Sequence, residues 1–354
     1  MKIFALLQEP ANYTQSLVRN IYAPRGVDFA YIRGDSTAAA GSTSAIGEGL
    51  LERIRFLWRQ LSAHDAIIIN GYTGHACLIA IWLNILFFRR PMALESDTEL
   101  QIPANPIKRA AKWLWLKFLF THKYCYGFAG GNYGHKDLFR HYGMAESRIF
   151  LMPMMVDNSL YRRKKAKDSP SSPFKFGYVG RLIKLKQVDK IISAVAMLVA
   201  KRIAVELEIV GAGDCLLELQ RQAKGLPIRF LGALFDKAKI DALHGFDALV
   251  LYSYYESWGL VINEALASGI PVVVSDKVGA KRDLVEGELA TGLVAKWDNV
   301  DDLTDKMRQL AVDESLYARL RANAIRRMED WNYGLYGRQF DRWTDAIGRQ
   351  GGVR

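Results

Sequence analysis

The sequence predicts an α/β fold made of two doubly wound, parallel-sheet domains. Three observations carry this expectation. The chain has 354 residues, more than one ordinary domain holds and about what two nucleotide-binding-sized domains need. Short branched apolar runs alternate with helical segments, the pattern of a parallel sheet with helices packed on it. The alternation breaks at a polar, Pro/Ser-rich run over 157–175 and then restarts. That run reads as a linker between domains at 1–156 and 176–330.

In the first domain, KIFALL (2–7), VDFAYI (27–32), DAIIIN (65–70), PMALE (91–95), 123–129 and RIFLM (148–152) read as strands. Each is short and rich in branched or aromatic residues, and turn formers bound several of them. Helices are expected over 47–62, 76–88 and 107–121. The linker contains Arg162-Arg163-Lys164-Lys165, read as solvated surface. In the second domain, strands fall at 174–180, 205–211, 228–232, 248–253, 271–276 and 291–295, and helices at 187–201, 214–224, 259–268 and 300–329. The closing stretch, 331–354, contains an aromatic-rich amphipathic helix, which is expected to pack back on the first domain.

Half of the residues are hydrophobic, so both domains can bury a core, and nothing in the composition suggests disorder or a repeat array. Cys77, Cys125 and Cys215 show neither metal spacing nor a disulfide framework, which points to a reducing, cytosolic setting. The opening apolar stretch stops at Gln8-Glu9-Pro10, too soon for a signal peptide. The uncharged run Cys77 to Phe88 falls short of the roughly 20 residues that span a bilayer.

The net charge of +11 needs a different explanation. No Asp or Glu occurs between Leu100 and Lys136, whereas Lys108, Arg109, Lys112, Lys117 and Lys123 are interleaved with Trp113, Trp115, Phe118 and Phe120. Aromatic and basic residues on one helix suit the interface of an anionic bilayer, so 107–123 is expected to lie on a membrane surface at the inner face of the cell membrane. The alternative is a core helix whose lysines reach out to solvent. No nucleic-acid recognition motif is present, and no nucleic-acid partner is expected.

The segment richest in chemistry is YSYYESWGLVINEALASGIPVVVSD, 252–276. A buried strand runs into a loop holding Glu256, a helix starts near Gly259, and Glu264 lies inside that helix. The amides of Gly259, Leu260 and Val261 at a helix N-terminus suit a diphosphate. Glu264 could accept two hydroxyl hydrogen bonds from a ribose diol, and Glu256 could meet a sugar hydroxyl beyond the phosphates. A second segment, Gly180-Arg181-Leu182 followed by Lys186, opens a helix after a strand. Its two cations could neutralise a departing diphosphate. Gly211-Ala212-Gly213-Asp214 is a further glycine turn after a strand, either part of the cofactor-type site or simply a tight turn.

With these motifs in order, residues 175–335 resemble the GT-B-fold glycosyltransferases of family GT4. That family carries a G-R-L…K-G segment, a V-G-x-G turn, an F-x-G strand and E-x-F-G-x-x-x-x-E-A. Here they stand as Gly180-Arg181-Leu182…Lys186, Val210-Gly211-Ala212-Gly213, Phe230-Leu231-Gly232 and Glu256…Glu264-Ala265. The resemblance implies two Rossmann-like domains facing across a cleft, a nucleotide-sugar donor (a UDP-sugar, then a GDP-sugar), and retention at the anomeric carbon. It assigns Arg181 and Lys186 to the diphosphate, Glu256 to the donor sugar and Glu264 to the ribose. It implies no cofactor and no metal. Two departures stand out: Gln187 replaces the glycine after the lysine, and Trp258 replaces the phenylalanine.

The N-terminal half matches less well, because no glycine pair follows the first strand and Glu95-Ser96-Asp97 occupies the place of a family histidine. Asp97 could orient or deprotonate an acceptor hydroxyl, or simply cap a turn. His75, following Gly74, is the other candidate. The expected function is therefore retaining transfer of a sugar to a glycan or lipid-linked acceptor, by same-face attack as the diphosphate leaves. The alternatives are a sugar-nucleotide epimerase on the same fold and a catalytically silent subunit of a glycan-assembly complex.

Overall fold

The computed structural model describes residues 1–33, 46, 49–163 and 169–351. The chain divides into two compact units, Met1–Met155 with Tyr333–Arg354, and Val156–Asn332.

Unit 1 holds six strands: β1 Ile3–Leu7, β2 Asp28–Tyr31, β3 Ala66–Asn70, β4 Met92–Ser96, β5 Cys125–Ala129 and β6 Ile149–Leu151. They form one sheet in the order β2-β1-β3-β4-β5-β6, every neighbouring pair parallel. Helices cover both faces, which is why β3 reads as an unbroken Ala-Ile-Ile-Ile rather than as an alternation. On one face Phe4, Leu6, Ile67, Ile69, Met92 and Leu94 pack with Leu57 and Leu61 of helix Leu50–Ala63, with Ala80 and Ile81 of His75–Leu83, and with Leu116 and Phe120 of Pro106–Thr121. Burying each large side chain contributes about 1.5–3 kcal/mol relative to exposure.

The terminal helix Tyr333–Gly351 completes this unit. Its buried residues Tyr336, Phe340, Trp343 and Ile347 recur every three or four positions, one face of a helix. Trp343 meets Phe128 of β5 edge-on at 5.0 Å, and the Tyr336 and Tyr22 hydroxyls are 3.1 Å apart.

Unit 2 holds β7 Phe174–Val179, β8 Val205–Val210, β9 Ile228–Gly232, β10 Ala248–Leu251, β11 Val272–Ser275 and β12 Gly292–Ala295. The order is β12-β11-β10-β7-β8-β9, again all parallel. Read from the other edge, this is the strand order of dinucleotide-binding sheets.

Three details differ from the sequence reading. The helix expected over 300–329 is two, Val300–Val312 and Glu314–Asp330, because the Asp313 carboxylate accepts from the Leu316 amide at 2.9 Å and starts a new helix. The polar run 157–175 contains the short helix Asn158–Tyr161, tied down where Asn158 Nδ2 donates to the carbonyls of Met328 and Trp331. Lys164 and Lys165 of its basic cluster lie outside the described residues. Finally, helix Asp236–Gly245 gave no periodic signal in the sequence. Among the described residues no helix is long and apolar enough to cross a membrane.

Candidate functional site

In unit 2 the strand order reverses between β7 and β10. Loops leaving parallel strands on either side of such a reversal run apart and open a crevice at the carboxyl edge of the sheet. Arg181 and Lys186 follow β7, and Glu256 and Gly259 follow β10. The two loops are tied together where the Tyr254 amide donates to the Leu185 carbonyl at 2.9 Å.

The β7 loop is held against the turn after β8. The Gly180 amide donates to the Val210 carbonyl and the Leu182 amide to the Ala212 carbonyl, at 3.0 and 2.8 Å. A Cβ on Gly211 would sit 1.9 Å from the Gly180 carbonyl oxygen, and one on Gly213 would sit 2.4 Å from that of Leu182. Backbone packing therefore accounts for both glycines without a ligand. Beneath them lies buried Tyr178, whose hydroxyl donates to the Arg181 carbonyl at 2.9 Å. Its phenol is pushed well up, first by burial and then by the Glu256 carboxylate, while Arg181 pulls it down. Both charged groups thus act on one phenol. The Arg181 residue itself is exposed.

Lys186 ends the short turn Lys184–Lys186, and its ammonium donates to Glu256 Oε2. The pair is mostly sheltered, with side-chain exposures of 12% and 18%. Glu256 is also fixed through its backbone, its amide donating to the Lys277 carbonyl and its carbonyl accepting from the Gly279 amide. After Lys186 the chain takes a left-handed turn at Gln187, with φ 49° and ψ 40°. A glycine would adopt this conformation without strain.

Gly259 is also left-handed, at φ 94°, and leads directly into helix Leu260–Ala267. The first amides of a helix have no partner within it, so those of Leu260 and Val261 remain available. One and a half turns on, Glu264 Oε1 accepts from Lys239 Nζ at 2.7 Å and from Tyr161 Oη at 2.9 Å. Oε2 takes no hydrogen bond from the described residues. Both protein donors thus converge on one carboxylate oxygen. Burial and Glu264 together push the Tyr161 phenol well up, so it stays a donor. Sequence reasoning missed both partners, since Lys239 lies on the unrecognised helix and Tyr161 in the supposed linker. Trp258 is buried, donates from Nε1 to Asn263 Oδ1 at 2.8 Å, and stacks on Trp331 at 5.7 Å. The larger ring is accommodated because its N–H has an acceptor.

In unit 1 the two residues proposed from sequence are both exposed, His75 at the start of a helix and Asp97 just beyond β4. The more sheltered carboxyl is Glu95, which is half-buried. Its Oε2 accepts from Asn70 Nδ2 at 2.7 Å, and Asn70 and Glu95 are register partners on β3 and β4. Burial pushes Glu95 up to about 7; the Asn70 hydrogen bond opposes the shift and the Asp97 charge adds to it. Gln8, after β1, donates to the Asn70 carbonyl at 2.6 Å, so the ends of β1, β3 and β4 form one polar cluster. Only the register of β3 on β4 reveals this, and no local motif encodes it. Among the described residues no group of three or more His, Cys, Asp or Glu is gathered to hold a metal.

Residues 161–327 match the family model described as glycosyl transferases group 1. The matched segment makes up a little under half of the chain. It contains Arg181, Lys186, Lys239, Glu256 and Glu264, whereas His75, Glu95 and Asp97 precede it. The chain is 29% identical over 218 residues to a D-inositol 3-phosphate glycosyltransferase of Rhodococcus jostii, covering 56% of this chain and 47% of that protein. It is 31% identical over 169 residues to a phosphatidyl-myo-inositol mannosyltransferase of Mycolicibacterium smegmatis, covering 47% and 43%. The chain thus aligns with less than half the length of these relatives. Among solved structures, Anabaena Alr3699/HepE in complex with UDP superposes with a TM-score of 0.76 at 18% identity, covering 98% of this chain and all of that one. At that identity the likeness is one of fold. The group 1 segment and this pair of parallel α/β units place the chain in the GT-B fold class.

Proposed function

We propose that the chain is a retaining glycosyltransferase that moves a sugar from a nucleotide-sugar to a lipid-linked or polysaccharide acceptor at the cytosolic face of a membrane. The observation carrying this reading is the set at the sheet reversal of unit 2. There the cations Arg181 and Lys186, the carboxylate of Glu256 and the head of helix Leu260–Ala267 belong to two loops tied to each other. A nucleoside diphosphate needs these groups: positive charge and free amides for its phosphates, and a half-satisfied carboxylate, Glu264, for its ribose.

In this mechanism charge develops on the diphosphate as the glycosyl–oxygen bond breaks. Arg181, Lys186 and the amides of Gly259, Leu260 and Val261 stabilise that charge, and the leaving oxygen takes the proton of the acceptor hydroxyl as it attacks from the same face. In the absence of donor, Lys186 and Glu256 neutralise each other. When donor binds, the ammonium turns to phosphate and the carboxylate is released to a sugar hydroxyl. UDP is the first base to test, since a solved structure of similar fold was determined with UDP. No step requires a metal or cofactor. The aromatic and basic segment 107–123 supports placing the reaction at an anionic membrane surface.

The test is a thermal-shift comparison of UDP-, GDP- and ADP-sugars, followed by donor turnover with the best binder. Glu256→Ala and Arg181→Ala are each expected to reduce turnover by about 100-fold without unfolding the chain. Turnover at the parental rate in both variants would refute the site assignment. Binding without turnover in the parental chain would instead indicate a silent subunit.

A further inference from the structure

Helix Pro106–Thr121 has two apolar stripes where a surface helix needs one. Leu116, Leu119 and Phe120 are buried in unit 1. Along the other side Ile107, Ala111, Leu114 and Phe118 recur at spacings of four, three and four, all exposed. Ile107 is 78% and Leu114 63% exposed. Residues 106–111 are exposed on every side, so the start of the helix stands clear of the core. Asn105 fixes that start by accepting from the amides of Ile107 and Lys108, both at 3.0 Å.

The outer stripe continues onto two other helices. Trp82 stacks on Phe118 at 5.9 Å, with 25° between the rings, and is itself 41% exposed. One turn further along, Leu86 and Phe87 are 56% and 60% exposed. Phe87 meets Trp58 of helix Leu50–Ala63 at 5.3 Å, and Trp58 is 43% exposed. Cations outnumber carboxylates on this face, although exposed Glu52 shares a side of helix Leu50–Ala63 with Arg55 and Arg59. The stretches 53–64, 66–94 and 100–136 contain no Asp or Glu. Arg55, Arg59 and Arg89 are exposed beside this band, and Lys117 lies over the Trp113 ring at 4.4 Å.

We propose that unit 1 docks on an anionic bilayer through this three-helix face, with Ile107, Leu114, Leu86 and Phe87 entering the acyl boundary and the surrounding cations meeting lipid phosphates. The proposal deepens the membrane-face reading above and rests on it for the direction in which the enzyme works, but its residues are separate from the donor site. Charge decides the occupant. A second copy would bring like charge against like charge, and water would be left in contact with large aliphatic and aromatic groups if the face stayed bare. Rings beside cations match the headgroup layer.

The test is co-sedimentation of the full chain with vesicles of phosphatidylcholine alone and of phosphatidylcholine mixed with phosphatidylglycerol. Binding is expected only to the mixed vesicles and should weaken with salt. The double substitution Leu86→Ser/Phe87→Ser and, separately, Leu114→Ser/Phe118→Ser should each weaken it by about tenfold or more. The UDP-induced thermal shift should stay unchanged in both variants. Retained binding in the 86/87 variant, equal binding to neutral vesicles, or a solution dimer that these substitutions dissociate would overturn the proposal. Vesicle binding without any nucleotide-induced shift would leave the docking face standing and refute the transferase reading. A nucleotide-induced shift without vesicle binding would do the reverse.

Discussion

At the scale of single residues, Gln187 and Glu95 show what the surrounding structure asks of a side chain. Gln187 holds a left-handed conformation next to Lys186, and its side-chain oxygen is buried without a hydrogen-bond partner. Both features cost free energy. Gln187→Gly is therefore expected to raise stability by about 1 kcal/mol, the relief of strain and of an unpaired carbonyl outweighing the added freedom of the unfolded chain. Chemical denaturation would measure it; a loss of stability would mean that the side chain makes a compensating contact. Glu95 is the opposite of a salt-bridged carboxylate. Its folded pKa lies near 7, above the 4.5 of an unperturbed glutamate, so the folded state prefers the protonated form. The native chain then binds more protons than the unfolded one between those two values, and stability falls as pH rises through that window and levels off above it. Glu95→Gln removes the ionisation. It should raise Tm at pH 8 relative to wild type, with a much smaller change at pH 4. An identical difference at both values would show that the Glu95 carboxyl is not shifted upward in the folded state.

At the scale of elements, the polar run 157–175 and the terminal helix both carry more than their sequences suggest. Asn158 and the Tyr161 carbonyl, which accepts from His244 and Ser268, bind the short helix Asn158–Tyr161 to its neighbours, and this is what brings the Tyr161 hydroxyl to Glu264. Helix Tyr333–Gly351 belongs to unit 1 although it follows all of unit 2 in the chain. Its buried Tyr336, Phe340 and Trp343 supply aromatic cover to Tyr22 and Phe128, and Arg25 pairs with Asp341 at 2.9 Å. Because burying each such ring is worth about 2–3 kcal/mol, a chain ending at Asn332 should lose more than unit 1 can spare. Calorimetry of that truncation is expected to show the transition of Val156–Asn332 persisting while that of unit 1 vanishes or drops by many degrees. Two unchanged transitions would show that the helix is dispensable.

At the scale of the whole molecule, the two sheets were legible because parallel strands covered on both faces must be continuously apolar, and Ala66–Asn70 and Val272–Ser275 are written that way. The positions of Arg181, Lys186 and Glu256 relative to the strands were legible for a different reason. They sit in loops after strands, where local spacing already dictates which end of the sheet they occupy, and Glu264 follows in the helix that the second loop opens. Their partners were not legible. Lys239 lies 25 positions from Glu264, and Asn70 lies 25 from Glu95. Each pair exists only because one element packs on another, and no periodicity within either element records that choice. The same holds for the aromatic face of unit 1. The sequence marked 107–123 as basic and aromatic, but only packing decided that Phe118 would face outward beside Trp82 while Phe120 went inward. The sequence by itself determined the α/β class, the strands and the placing of Arg181 and Lys186 after β7, since these follow from local pattern and spacing. Tertiary structure alone decided which oxygen of Glu264 takes the protein's hydrogen bonds, that Glu95 is more sheltered than Asp97, and which of two apolar stripes is left uncovered. Those outcomes depend on register and packing between segments distant in the chain.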